Sequence, residues 1–129
     1  MSKTDKPLAW IGSSKEDLLD LPRKLQREIG HGLYLAQLGL EHTNVKPLTG
    51  FGGRGVLEIV EDDTGGTYRA VYTVKFKEAI YVLHVFQKKS KKGRETPKEE
   101  MEIVKKRLKI AEQKHEEWLN RLKDEKKNT

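Results

Sequence analysis

Three apolar-rich runs separated by short turn segments constrain this chain more than any other feature. Val56-Leu-Glu-Ile-Val-Glu61 is followed by Asp62-Asp-Thr-Gly-Gly66, Thr67 to Val74 by Lys75-Phe-Lys-Glu78, and Ala79 to Gln87 is the most apolar of the three. β-Branched and aromatic residues in runs of this length, punctuated by Gly and Asp, read as successive antiparallel strands. A sheet so built needs an apolar cover, and the upstream sequence offers one. Leu18, Leu21, Leu25, Ile29, Leu33, Ala36 and Leu40 recur at three- and four-residue steps, which is one stripe shared by two helices. Ser13 and Glu16 have capping-box spacing at the start of the first helix, Pro22 can open the second, and Gly39 ends it. Leu8 to Ile11 reads as a short leading strand, and Glu41 to Gly55 as a Gly-rich loop.

Downstream, Thr96-Pro97-Lys98-Glu99 is a second capping box. Met101, Val104, Leu108, Ala111, His115, Trp118 and Leu122 then follow heptad-like spacing. His115 fills one slot of that stripe and reads as a packed helix residue without chemistry. The expected fold class is α+β: a small antiparallel sheet, an N-terminal helical hairpin on one face, and a C-terminal helix. With 129 residues the chain suits a single domain, expected over 1–125, with 126–129 as a frayed tail. The hairpin covers one sheet face in this reading, and the other is left available for work.

The charge is unevenly placed. Residues 1–86 hold 11 Lys+Arg against 11 Asp+Glu, whereas 87–129 hold 15 against 9 and so carry the whole net +6. Lys88, Lys89, Lys91, Lys92 and Arg94 fall within seven residues that contain no acid. Basic excess confined to one segment is the footprint of a polyanion binder, or else a solvated loop beside a charged helix. The absence of cysteine excludes disulfides and thiolate metal sites. No apolar stretch resembles a signal peptide or a membrane span, so the expected location is cytoplasmic, with no membrane partner.

Strand alternation sharpens the reading. With even hairpin loops, residue 61 pairs with 66 and 74 with 79. One face then carries Leu57, Ile59, Tyr68, Ala70, Tyr72, Tyr81, Leu83 and Val85. The opposite face carries Glu58, Arg69 and His84 in one row across three strands, with Phe86 and Thr67 alongside; an odd loop would dissolve the row. The row is either an ion pair steadying an exposed face, with His84 a spectator, or an active site beside the basic loop. The chemistry that fits is phosphodiester cleavage by the 2′-hydroxyl of RNA. Arg69 suits charge stabilisation at phosphorus, and His84, Lys88 and Lys89 are candidates for proton transfer. Phe86 can stack on a base, Arg54, Lys91, Lys92 and Arg94 can grip phosphates, and Glu58 orients Arg69. A metal route is not favoured, because Asp62 and Asp63 sit in a turn without converging partners. Gly50-Phe-Gly-Gly-Arg-Gly55 lacks the Lys-Ser/Thr of a P-loop. Neither metal nor cofactor is expected.

The runs Gly55 to Glu61, Thr67-Tyr-Arg-Ala-Val-Tyr72 and Tyr81-Val-Leu-His-Val-Phe-Gln-Lys-Lys-Ser-Lys-Lys-Gly93 with Thr96-Pro97 resemble the HigB-like, phage-related branch of the RelE/ParE toxin superfamily. The resemblance extends to Trp10-Ile-Gly-Ser-Ser14 and Lys46-Pro47-Leu48. It implies a sheet packed on a helical hairpin and a toxin of a type II toxin–antitoxin system. It further implies a metal-independent mRNA endoribonuclease that acts on the ribosome and so inhibits translation. Arg69 matches the superfamily's strand arginine, and the run from Lys88 its basic stretch. The implied partners are mRNA, the ribosome and an antitoxin of helix-turn-helix type, with DNA reached only through that antitoxin. The long C-terminal helix is a candidate antitoxin or dimer contact. Two alternatives stand beside this reading: a ParE-like inhibitor of DNA gyrase that is not a nuclease, and an inactive phage-derived module that only binds its antitoxin.

Overall fold

In a computed structural model the chain is described over residues 5–53, 55–88 and 96–127. Arg54, Lys89, Lys91, Lys92 and Arg94, all named above as candidates, lie outside the described residues. The elements along the chain are β1 (Leu8–Trp10), α1 (Ser14–Leu19), α2 (Arg23–Gln37), β2 (Val45–Pro47), β3 (Val56–Asp63), β4 (Gly66–Thr73), β5 (Ile80–Lys88) and α3 (Lys98–Lys127). The five strands form one sheet in the order β1-β5-β4-β3-β2. The expected antiparallel sheet is thus mixed, because β1 joins β5 in parallel. A short strand, β2, also emerges from the loop expected over 41–55 and pairs with β3. Its three residues carry too little pattern to be seen in sequence.

The β3–β4 ladder runs two residues further into the turn than expected, with Asp63 opposite Gly66 and Arg69 opposite Val60. Gly66 takes φ of 130°, a backbone conformation that glycine reaches without Cβ strain. On the other side, Arg69 faces Phe86 and Val71 faces His84, after which the register slips so that Tyr72 faces Val82. Leu83 is the extra residue of this β-bulge. A two-residue offset preserves the face of every side chain, whereas a bulge inverts it. Tyr81 and Leu83 therefore leave the face assigned to them from sequence, and Ile80 and Val82 take their places.

Both faces of the sheet are covered. On one, Leu57, Ile59, Ala70, Tyr72, Ile80, Val82 and Val85 pack with Leu18 of α1 and Ile29, Leu33 and Ala36 of α2. Gly32 permits the close approach of α2, since a Cβ there would lie 2.8 Å from Ile59 Cδ1. On the other, Val56, Val71, Tyr81, Leu83 and Phe86 pack with Val104, Leu108 and Ala111 of α3. The face expected to stay open is therefore the floor of a second core. His115 is held within it, its Nδ1 2.9 Å from Tyr81 Oη and its Nε2 2.8 Å from Glu78 Oε1.

Local capping departs from the sequence pattern at α1. The Ser13 hydroxyl donates to Asp17 Oδ2 at 2.8 Å, one residue beyond the Glu16 of the expected box. Gly39, at φ of 79°, closes α2 as expected. The helix α3 continues through Lys127, two residues into the segment expected to fray.

A sheet cored on both faces predicts that Leu108→Ala on α3 costs about as much stability as Ile29→Ala on α2, each about 2–5 kcal/mol in denaturant unfolding. A loss for Leu108→Ala below about 1 kcal/mol would mean that α3 does not seal its face.

Candidate active site

Arg69 stands in the middle of β4, and its side chain is 4% exposed. Its Nη1 lies 3.4 Å from both carboxylate oxygens of Glu58 and 3.3 Å from Thr96 Oγ1, to which it donates. Glu58 is buried in turn and has a second cation at its edge, with Lys46 Nζ 3.5 Å from Oε1. β2 supplies Lys46 directly opposite Glu58, so the unexpected strand places a charge at the site. An Arg–carboxylate pair withdrawn from water must recover a large desolvation cost through close partners. Here three elements and the segment before α3 contribute them.

His84 lies one step along β5 from Phe86, diagonal to Arg69; such neighbours sit about 7–8 Å apart. Arg107 Nη1 is 3.3 Å from His84 Nδ1, and Glu100 Oε2 is 2.9 Å from Nε2. A guanidinium only donates, so Nδ1 is the accepting nitrogen and Nε2–H donates to Glu100. The ring is also stacked on Phe86, 4.8 Å between centroids with a 21° tilt. Burial pulls the imidazole below its usual 6.5. The hydrogen bond and charge of Glu100 raise it without overcoming that effect, Arg107 lowers it, and Asp17 raises it.

Arg107 also donates to Leu83 O at 3.0 Å and to Ser13 Oγ at 3.2 Å. It therefore ties α3 to the bulge and to the start of α1. Gly12 makes room for it, since a Cβ there would lie 2.8 Å from the guanidinium. Lys88, buried at the end of β5 opposite Thr67, extends the same face towards the basic segment.

Glu58, Arg69, His84, Phe86 and Lys88 thus share one face of the sheet, staggered rather than in a straight row. Phe86 packs on His84 and is itself buried in the core beneath α3, not presented to solvent as the stacking role expected of it would require. Thr96, Glu100 and Arg107 complete the cluster and were not singled out from sequence. Their signal was present: Glu100 and Arg107 are two helical turns apart and fall on one side of α3. Chemically, the cluster joins a fixed guanidinium, a neutral imidazole and a carboxylate within reach of that imidazole. This is a combination suited to stabilising negative charge and moving one proton.

A family model described as "Phage derived protein Gp49-like (DUF891)" matches residues 16–109. That span runs from α1 to the middle of α3 and includes every side chain of the cluster. No curated protein matches the chain. Among the described residues, no helix is long and apolar enough to cross a membrane.

The depressed His84 value has a defined sign. Between its folded value and 6.5 the unfolded chain binds a proton that the folded chain does not, so stability rises with pH in that window and falls on acidification through it. Titration of His84 by NMR should give a value below 6.5, and Glu100→Gln should lower it further. A rise on Glu100→Gln would contradict this arrangement of charges.

Proposed function

The chain belongs to the phage-derived Gp49-like family, a RelE/ParE-like family of toxins in toxin–antitoxin systems, and from that premise we propose that it is a metal-independent endoribonuclease that cuts mRNA on the ribosome. The supporting observation is the Glu58–Arg69–Thr96 cluster beside the Phe86-stacked His84, on the sheet face that Lys88 continues to the end of β5. In this reading the 2′-hydroxyl of the substrate gives its proton to a base and its oxygen bonds to phosphorus. The bond from phosphorus to the 5′-oxygen then breaks, and that oxygen takes a proton. Arg69 holds the charge that builds on the phosphoryl oxygens. His84, Lys88 and Lys89 are the groups that carry protons, and Glu58 orients the guanidinium. Arg54, Lys91, Lys92 and Arg94 hold the backbone.

In this reading a phosphate displaces Thr96 Oγ1 from Arg69, because the guanidinium is buried and bonded to that hydroxyl. The phosphate then takes the place of a neutral hydroxyl acceptor, while Glu58 keeps its second cation, Lys46. Membership of a toxin family implies an antitoxin partner; the helix-turn-helix type and the HigB-like branch belong to this proposal. The burial of Arg69 and His84 favours one other reading. In it both are structural, and the chain either inhibits DNA gyrase in the ParE manner or only binds its antitoxin. Induction separates the cases. Translation stops first for a nuclease, replication first for a gyrase inhibitor, and neither for an inactive module.

Arg69→Lys keeps a cation beside Glu58 but loses the planar fork. It should fold, lower mRNA cleavage by about 10²–10³-fold and abolish growth inhibition. In-frame mapped 5′ ends should appear with the parent chain and be lost in the variant. A folded Arg69→Lys protein with undiminished toxicity and cleavage would remove Arg69 from the mechanism. RNA binding should also weaken steeply with salt. Up to five clustered cations give a slope of log affinity against log salt of about −2 to −3.5 for a single strand, and a flat response would exclude the basic segment as the grip.

A further inference from the structure

A second cluster lies away from the Arg69 face, where the N-terminal half of α2, the loop after that helix and the end of β3 meet. Glu28, His42 and Glu61 each present one ligating atom there, all within 4.8 Å of one another. None of the three is fully buried, and no Lys or Arg is paired with Glu28 or Glu61 among the described residues. Two carboxylates this close repel unless a cation sits between them. One helical turn after Glu28, on the same side of α2, His31 meets His42 edge-to-face with ring centroids 5.6 Å apart. The helix thus offers a Glu-x-x-His pair towards an imidazole and a carboxylate from two other elements.

We propose that Glu28, His42 and Glu61 bind one divalent transition-metal ion of the zinc class, with His31 able to serve as a fourth ligand. Mixed imidazole and carboxylate donors suit zinc rather than calcium or magnesium, which take oxygen ligands. Ligands about 2.1 Å from a tetrahedral ion stand roughly 3.4 Å apart, so the side chains close by about an ångström on binding. That movement is open to partly exposed glutamates. Glu61 is already oriented, its Oε1 accepting from Asn44 Nδ2 at 3.0 Å. The Asn44 backbone N–H donates to His42 Nδ1 at 3.1 Å, which leaves the ring's proton on Nε2. Coordination through Nε2 moves that proton to Nδ1 and leaves the Asn44 backbone N–H to water, at little cost because Asn44 is exposed. The ion ties α2 to the end of β3 and does not enter the proposed cleavage.

The test is titration of the full, tag-free chain with Zn²⁺ by calorimetry and with Co²⁺ by visible absorption. One ion per chain should bind, with a rise in Tm of roughly 5 °C or more at saturation. His42→Ala and Glu61→Gln should each weaken binding at least tenfold, while their metal-free Tm stays close to that of the parent. Absence of saturable one-to-one binding would overturn the site. Parent-like binding by both variants would overturn it too, since the ion would then be held elsewhere. Retention of mRNA cleavage by His42→Ala would leave this site and the cleavage site independent of each other.

Discussion

The interior strand β5 is apolar on both sides, and this constraint shapes the rest of the molecule. Ile80, Val82 and Val85 look one way while Tyr81, Leu83 and Phe86 look the other. A strand buried on both faces cannot border solvent, so the sheet requires a cover on each side. The helical hairpin supplies one. The stripe Val104, Leu108, Ala111 and His115 of α3 supplies the other. The bulge at Leu83 makes this possible, because it delivers two consecutive residues of β5, Leu83 and His84, to the α3 side.

Covering that face determines the electrostatics of the cluster. Groups that would be ordinary surface charges become buried and must find partners at hydrogen-bond distance. Glu58 gains Arg69 and Lys46, Arg69 gains Thr96, and His84 gains Glu100 and Arg107. An imidazole between a donor-only guanidinium and an acceptor carboxylate is held in one tautomer. It is also kept neutral, since burial outweighs the carboxylate. These are the properties asked of a proton-transfer group, and they arise here from packing.

The same packing sets a condition on the proposed reaction. A guanidinium that is 4% exposed does not meet an RNA phosphate without movement. In the proposed reading the part that gives way is Thr96 with the start of α3, a helix whose fully buried residues begin at Val104. Helix ends open at lower free energy than helix centres, because they are tied by fewer buried contacts. The hairpin side of the molecule can stay intact meanwhile, since its core is built from different residues. The Glu28–His42–Glu61 cluster lies on that fixed side, where an ion would brace the sheet without touching the moving turn.

Much of the architecture is legible in the residues taken one after another. The spacing of Leu25, Ile29, Leu33 and Ala36 gives α2, Gly39 ends it, and the turn at Thr64-Gly65 gives the β3–β4 hairpin. Alternation alone puts Glu58, Arg69, His84 and Phe86 on one face, since an even register offset cannot change it. The parallel seat of β1, the pairing of β2, the bulge at Leu83 and the position of α3 were not legible. Each is a contact between residues far apart in the chain, and local pattern carries no information about which distant segment will meet it. By itself, then, the sequence determined that Glu58, Arg69, His84 and Phe86 share a face and where the positive charge gathers, because both follow from local periodicity and composition. It misplaced Tyr81 and Leu83, which lie at and beyond the bulge. Only the tertiary structure decided that this face is closed by α3, and that Lys46, Thr96, Glu100 and Arg107 join the cluster. Long-range burial, with the desolvation it imposes on every charge, fixes partners that no local spacing can name.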